Sequence, residues 1–390
     1  MITALTARKY SDDLFEFDAI HNDRGTRARI GRFATPHGTI DTPVFMPVGT
    51  RGSVKGILPE QLRQVGSSII LANTYHLALR PGSQTVRDLG GLHRFMSWDG
   101  PILTDSGGFQ IFSLATLNAI DDDGVSFKSH IDGALMRLDP ASAVAIQQEL
   151  GADIIMAFDQ CPALPATPDA LSLAVERTIR WAAECKSAWT SSAQALFGIV
   201  QGGLDLDLRR RCLDALVHIG FPGYAIGGLS VGESTGDMAT CLNAFAHLMP
   251  SDRPRYLMGV GRPLDIIRAV AAGVDMFDCV MPTRNGRNSF AFTDAGFVRL
   301  RNARYRLDER PLDETCDCPC CKQFTRAYLR HLFLADEMLG PILVSLHNIA
   351  YYHRWMRRIR DAIRQDALAD MLREAENSAA AGSPLSEAPE

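Results

Sequence analysis

Long apolar runs are missing from this chain. No eighteen consecutive apolar residues occur in its 390, which excludes an ordinary membrane-crossing helix. Segment 1–17 lacks the basic stretch followed by an apolar one that marks a secretory signal, so the expected location is the cytoplasm. A strong net charge is missing too: the formal value is −5, which gives no global pull towards nucleic acid. No short-period repeat appears, which argues against a solenoid. Nor is there a disulfide framework, because five of the nine cysteines (Cys161, Cys185, Cys212, Cys241 and Cys279) are scattered in apolar surroundings, as in a reducing compartment.

What is present is a composition of 46% hydrophobic and 22% charged residues, enough for a sizeable core. Residues 15–34 alternate apolar and polar across a His21–Gly25 turn and predict an antiparallel hairpin. After Gly38 short apolar runs recur at 43–48, 68–73, 101–105, 153–159, 196–201, 224–228, 255–259 and 274–278. Amphipathic stretches such as 140–150, 168–189, 206–219, 237–248 and 263–272 lie between them. Eight β-to-α units match a (β/α)8 TIM barrel, with a doubly wound open sheet as the alternative, since strand number does not fix closure. Two further hairpins are expected at 125–138, around Asp132-Gly133, and at 289–300, around Asp294-Ala295-Gly296. Residues 1–375 thus read as one catalytic domain with a metal-binding subdomain at about 288–362, and the Ala/Ser/Pro/Glu-rich 376–390 as a disordered tail.

The ends of the apolar runs carry the chemistry. Asn73, Asp105, Asp159, Gln201, Gly228 and Asp278 each close one, and in a barrel that end is the rim where sites are built. Asp105 precedes Ser106, Gly107, Gly108 and Phe109, where two glycines permit close backbone approach and a ring offers a stacking face. Asp278 runs into a Pro/Gly-punctuated loop with Arg284 and Arg287. From 284 to 306 there are six arginines against one acid, and Arg354, Arg357, Arg358 and Arg360 crowd a later helix.

The remaining cysteines, Cys316, Cys318, Cys320 and Cys321, fall within six residues. Cys318-x-x-Cys321 has structural zinc spacing, Cys316 or Cys320 can supply a third thiolate, and His347 follows. Three thiolates and an imidazole fill a tetrahedral shell, so the expected Zn2+ is structural.

Together, Thr104-Asp105-Ser106-Gly107-Gly108-Phe109-Gln110, Met156-Ala157-Phe158-Asp159, Val200-Gln201-Gly202-Gly203, Gly227-Gly228-Leu229, the run from Phe277 to Arg284, and Cys316-x-Cys318-x-x-Cys321 with His347 resemble the tRNA-guanine transglycosylase (queuine tRNA-ribosyltransferase) family over about residues 26–360. The resemblance implies replacement of guanine at the wobble position of tRNAs with a GUN anticodon by a 7-deazaguanine, in bacteria preQ1. It implies Asp278 as the covalent nucleophile and Asp105 as the proton shuttle. Asp159, Gln201, Gly228 and Leu229 would read the base edge, beside Ser106, Gly107 and Gly108, with Phe109 and Met258 on its faces. The segments Gly259, Val260, Gly261, Arg262, Pro263, Leu264 and Asp265, and Thr283, Arg284, Asn285, Gly286 and Arg287, would contact tRNA. Within the resemblance the metal set is Cys316, Cys318, Cys321 and His347, and a homodimer is expected. Cys161 and Val231 resemble the bacterial version, and the absence of the archaeal C-terminal extension favours anticodon recognition.

Overall fold

Eight short parallel strands form a ring at the centre of the computed structural model, which describes residues 14–110 and 118–380. Three strands precede or open it: β1 (Phe17–Asn22), β2 (Arg29–Thr35) and β3 (Gly38–Thr42) form an antiparallel sheet. The ring strands are β4 (Val44–Pro47), β5 (Ile70–Ala72), β6 (Ile102–Thr104), β10 (Ile154–Met156), β11 (Ala195–Val200), β12 (Gly223–Ile226), β13 (Arg255–Leu257) and β14 (Met276–Cys279). Between β6 and β10 lie β7 (Asn118–Asp121), β8 (Gly124–Lys128) and β9 (Leu135–Leu138). The ring order is β4-β14-β13-β12-β11-β10-β6-β5, and Val48 bridges back to Leu71 in parallel. The ends of the sheet therefore meet, which makes a nearly closed barrel and rules out the doubly wound alternative.

Alternation along each strand sets two packing layers. Val44, Met46, Leu71, Leu103, Met156, Phe197 and Ile199 pack inside with Phe33 and Ile40 of the N-terminal sheet. Phe33 meets Phe197 at 5.8 Å between ring centres, so that sheet plugs the amino end of the barrel. Two buried carboxylates tie the plug down. Asp153, just before β10, accepts from the His37 backbone and ring, from His93 Nε2 at 3.0 Å and from Ile102 N at 2.8 Å. Burial works to raise its pKa, but the histidine hydrogen bonds win and hold it at about 2. Asp275, before β14, takes a two-pronged Arg29 guanidinium at 2.9 and 2.7 Å.

Four sequence expectations change. The N-terminal hairpin gains a third strand, β3, and the 125–138 hairpin gains β7 ahead of it. Residues 281–287, read as a loop, form the helix Met281–Arg287, because Pro282 sits in the first turn where a missing N–H costs nothing. The tail assigned to 376–390 is helical up to Ala380: Leu368 and Ala375 are buried, and Glu376 pairs with Arg268 at 2.9 Å. The rest of that expectation, 381–390, lies outside the described residues. The third hairpin, β15 (Phe290–Thr293) with β16 (Gly296–Arg299), is as expected.

The 26-residue helix Leu339–Arg364 packs along the outside of the barrel, against the helix Met281–Arg287 and β15 towards one end and against β4 and the N-terminal sheet towards the other. It touches the helix Met281–Arg287 backbone to backbone, since a Cβ on Gly286 would lie 2.6 Å from Ser345 Cα. Asn348 clamps the same junction, donating to Pro282 O and Phe290 O at 2.9 Å. We expect Gly286→Ala to push the helices apart at a cost of about 1–3 kcal/mol, read as a lower denaturant midpoint with an unchanged slope.

Candidate functional site

Every ring strand that the sequence ended on a polar residue delivers it to the same rim. Asp105 directly follows β6, Gln201 follows β11 and Asp278 lies within β14. The Asp105 carboxylate is buried and gripped: Oδ1 accepts from Thr74 N at 2.8 Å, and Oδ2 from Gln110 Nε2 at 2.7 Å and from Asn73 Nδ2. Burial nevertheless raises its pKa to about 6, with the Asp278 charge adding to the rise. Asp278 accepts from Tyr256 Oη at 2.5 Å and Gly259 N at 2.9 Å. Both bonds fall on Oδ1, and Oδ2 receives none from the described residues. Burial pushes Asp278 up, and those two donors oppose the push. The charges of Asp278 and Asp105 both bear on Tyr256, so the two acids share one electrostatic environment. Such a pair, one acid gripped and the other with a free oxygen, can combine proton transfer with covalent attack.

Beside them lies a second polar group. Asp159 accepts from Ser106 Oγ at 3.1 Å and from Gln201 Nε2 at 2.7 Å, and burial raises it to about 6. Gln201 reaches it only because Gly227 and Gly228 have no side chains: a Cβ at either would come within 2.5 Å of the Gln201 amide. Gly228 is left-handed at φ 64°, and Gln201 Oε1 has no hydrogen-bond partner among the described residues. The Gly228 N–H and the Gln201 side chain both bear on the Cys161 thiol. An acid raised by burial holds its proton more tightly when folded. Asp159 therefore contributes most below pH 4 and costs stability as pH rises through about 6. We expect Asp159→Asn to stabilise the ligand-free chain at pH 7 by on the order of 2–3 kcal/mol, because Gln201 can turn its free Oε1 to the new amide. Melting curves at pH 4 and pH 7 check this, the gain appearing at pH 7 alone.

The other expected positions are spread around this centre. Leu229 is buried, Met258 half-buried, and the Phe109 ring 51% exposed, open to a flat ligand. Gly107 is left-handed at φ 80°, and a Cβ on Gly108 would lie 3.0 Å from Asp159 O. In the stretch 259–265, Gly259 is exposed, Arg262 and Leu264 are half-buried, and Val260, Gly261, Pro263 and Asp265 are buried. Tyr352 Oη holds Gly261 O at 2.5 Å and Trp355 Nε1 holds Pro263 O at 3.2 Å. In the helix 281–287, Arg284 and Arg287 are half-buried, while Thr283, Asn285 and Gly286 are buried against the long helix. Tyr256, the donor to Asp278, went unremarked in the sequence, since an aromatic in an apolar run reads as core.

Cys316, Cys318, Cys321 and His347 bring their ligand atoms within 4.8 Å of one another. His347 Nε2 donates to Phe292 O at 2.7 Å, which turns Nδ1 towards Cys321 Sγ at 3.2 Å and Cys318 Sγ at 3.6 Å. Cys318 hydrogen bonding, then Cys321 and His347, draw Cys316 well below the usual thiol range. This donor set fits a metal ion and leaves no open position. Cys320 lies in the core outside it, and its thiol is raised by burial. That settles the choice which spacing left open. A smaller group, His37, His93 and Asp153, also has metal-like composition, but hydrogen bonds within the plug already occupy its ring nitrogens and carboxylate.

Comparison with known proteins finds relatives over most of the chain. The sequence profile of the queuine tRNA-ribosyltransferase family matches residues 23–381. The chain is 53% identical over 354 residues to a queuine tRNA-ribosyltransferase of Halothermothrix orenii, covering 91% of this chain and 95% of that one. It is 54% identical to those of Syntrophobacter fumaroxidans and Thermus thermophilus, covering 90% of this chain and 94% and 91% of theirs.

Proposed function

The chain belongs to the queuine tRNA-ribosyltransferase family, and we propose that it exchanges guanine at the wobble position of GUN-anticodon tRNAs for preQ1 through a covalent bond between Asp278 and the ribose. The observation that carries this is the pair of rim acids in one electrostatic environment, Asp278 with an unengaged oxygen and Asp105 with a raised pKa.

Asp278 Oδ2 attacks the anomeric carbon, the glycosidic bond breaks, and its electron pair leaves with guanine. Asp105 gives its proton to the departing base. A 7-deazaguanine then enters, loses a proton to the Asp105 carboxylate and displaces Asp278, so the proton count closes and two inversions retain configuration. The edge-reading group suits guanine. Its N1–H and 2-amino group both donate, and the Asp159 carboxylate supplies two acceptors, while the Gln201 amide and the Gly228 N–H can donate to O6. The base must leave the anticodon stack to lie there, with Phe109 and Met258 on its faces. Arg284, Arg287, Arg262 and the exposed backbone at Gly259 are the groups through which the flanking nucleotides are held.

The metal is Zn2+ in a structural role, because three thiolates and an imidazole match its tetrahedral preference. A tRNA substrate fits the cytoplasm, and no helix among the described residues is long and apolar enough to cross a membrane. A homodimer would cover large apolar side chains exposed on the metal-bearing part, Leu334 (53%) and Met338 (80%) among them.

The direct test is incorporation of labelled guanine, and of preQ1, into a GUN-anticodon tRNA and into one with an altered wobble base. Label in the first alone supports the reading, and label in neither overturns it. Adduct formation should also be bell-shaped in pH. Its alkaline limb falls as Asp105, raised to about 6, loses the proton it must donate, and its acid limb falls as Asp278 loses its charge. In Asp105→Asn the alkaline limb disappears along with most of the rate, as single-turnover assays across pH will show.

A further inference from the structure

Arg209, on the helix Leu206–Ile219, is wholly buried, yet among the described residues no carboxylate pairs with it. Its Nε donates to Gly203 O at 2.6 Å, and its Nη2 to Gly227 O at 3.0 Å and Gly228 O at 3.4 Å. The guanidinium lies 5.6 Å from the Phe245 ring centre and against the Cys241 thiol, with Cys212 nearby, and Nη1 has no hydrogen-bond partner among the described residues. A buried cation without a carboxylate counter-ion is costly, so what holds it there needs a reason.

Its position says what it does. The three carbonyls belong to the turns after β11 and β12, which carry Gln201 and Gly228. In a trans peptide the C=O and the next N–H point in opposite directions. Pinning Gly227 O to Arg209 on the back of the turn therefore aims the Gly228 N–H forwards, and pinning Gly228 O does the same for Leu229. The forward side is the recognition pocket, because the Gly228 N–H bears on the Cys161 thiol beside Gln201. Sulfur is a weak acceptor, so a ligand carbonyl displaces it readily. The helix is fitted to the turn as closely: a Cβ on Gly202 would lie 2.7 Å from Arg209 N.

We propose that Arg209 is the positioning residue of the base pocket: from behind the Gly203 and Gly227-Gly228 turns it fixes the amides that receive the purine's carbonyl oxygen, and it polarises them towards the charge that gathers on the base as the glycosidic bond breaks. The proposal rests on the base-exchange reading and names the residue that sets its affinity for the free base.

The test uses the full, metal-loaded chain with Arg209→Met, which removes the charge, and Arg209→Lys, which keeps a cation but not the fork. Guanine exchange is measured at saturating tRNA, with metal content, melting and tRNA affinity alongside. The expected result is a KM for guanine raised roughly tenfold to hundredfold in Arg209→Met, a smaller rise in Arg209→Lys, and tRNA affinity unchanged within about twofold. Folded variants with unchanged KM for guanine overturn the proposal, as does a loss of kcat alone in step with the folded fraction. Should Arg209→Met not fold, Arg209→Lys decides by the same criterion. If the unaltered enzyme exchanges no guanine, the base-exchange reading itself has failed, an outcome distinct from an unmoved KM.

Discussion

Asp278→Asn leaves a protein that folds, retains its metal and binds tRNA, yet forms no covalent adduct and exchanges no base. The reason is local. Asn presents the same outline to Tyr256 and Gly259, so its oxygen can keep both hydrogen bonds to the position of Oδ1. What sits at Oδ2 becomes an amide nitrogen whose lone pair is delocalised. Removing a nucleophile of this kind costs on the order of 10⁴-fold or more in turnover. Burial is also relieved, since the charged carboxylate that the site holds against desolvation is gone, and the melting temperature should stay level or rise. Denaturing gels report the adduct, and filter binding reports the complex. An adduct that survives at normal yield would remove Asp278 from the chemistry, whereas loss of tRNA binding along with the adduct would make it a docking residue.

The same contrast explains what the sequence disclosed and what it hid. A polar residue closing an apolar run is conspicuous, so Asp105, Asp159, Gln201 and Asp278 could be found without coordinates, and the recurrence of such runs counted eight β-to-α units but left closure to the pairing of Val48 with Leu71. Residues that act from inside a run could not. Tyr256 has the composition of core and becomes a donor only because β13 lies beside β14. Arg209 carried a faint signal: with Cys212, Leu213 and Leu216 it falls on the buried stripe of its helix, where an arginine is out of place. Pro282, Asn285 and Gly286 read as loop punctuation because nothing local reveals that Gly286 is needed for contact with Ser345. The third thiol ligand was ambiguous in spacing. The helix Pro319–Gln323 resolves it, since Cys318 and Cys321 are three apart and share a face while Cys320 turns into the core.

Stripping the metal should damage the RNA-facing rim more than the barrel beneath it. His347 stands on the long helix whose Tyr352 and Trp355 hold Gly261 and Pro263, and whose Ser345 and Asn348 hold Thr283, Pro282 and Phe290. Both segments proposed to touch tRNA therefore hang from a helix that a metal ion at this cluster would tie to Cys316, Cys318 and Cys321. Without the ion, three thiols and an imidazole converge with nothing to hold them. We expect chelation, or Cys318→Ala, to cost on the order of 5 kcal/mol or more. Amide exchange should accelerate first in 290–299 and 339–364, then in 259–265 and 281–287. The plug at the other end, held by Arg29 with Asp275 and by the histidines on Asp153, should keep its protection. Tenfold weaker tRNA binding with an intact barrel is the functional counterpart. A metal-free chain with an unchanged melt and unchanged exchange, but no turnover, would instead place the ion in the chemistry, as in a zinc hydrolase, and the closed Cys3His set argues that this result will not be seen.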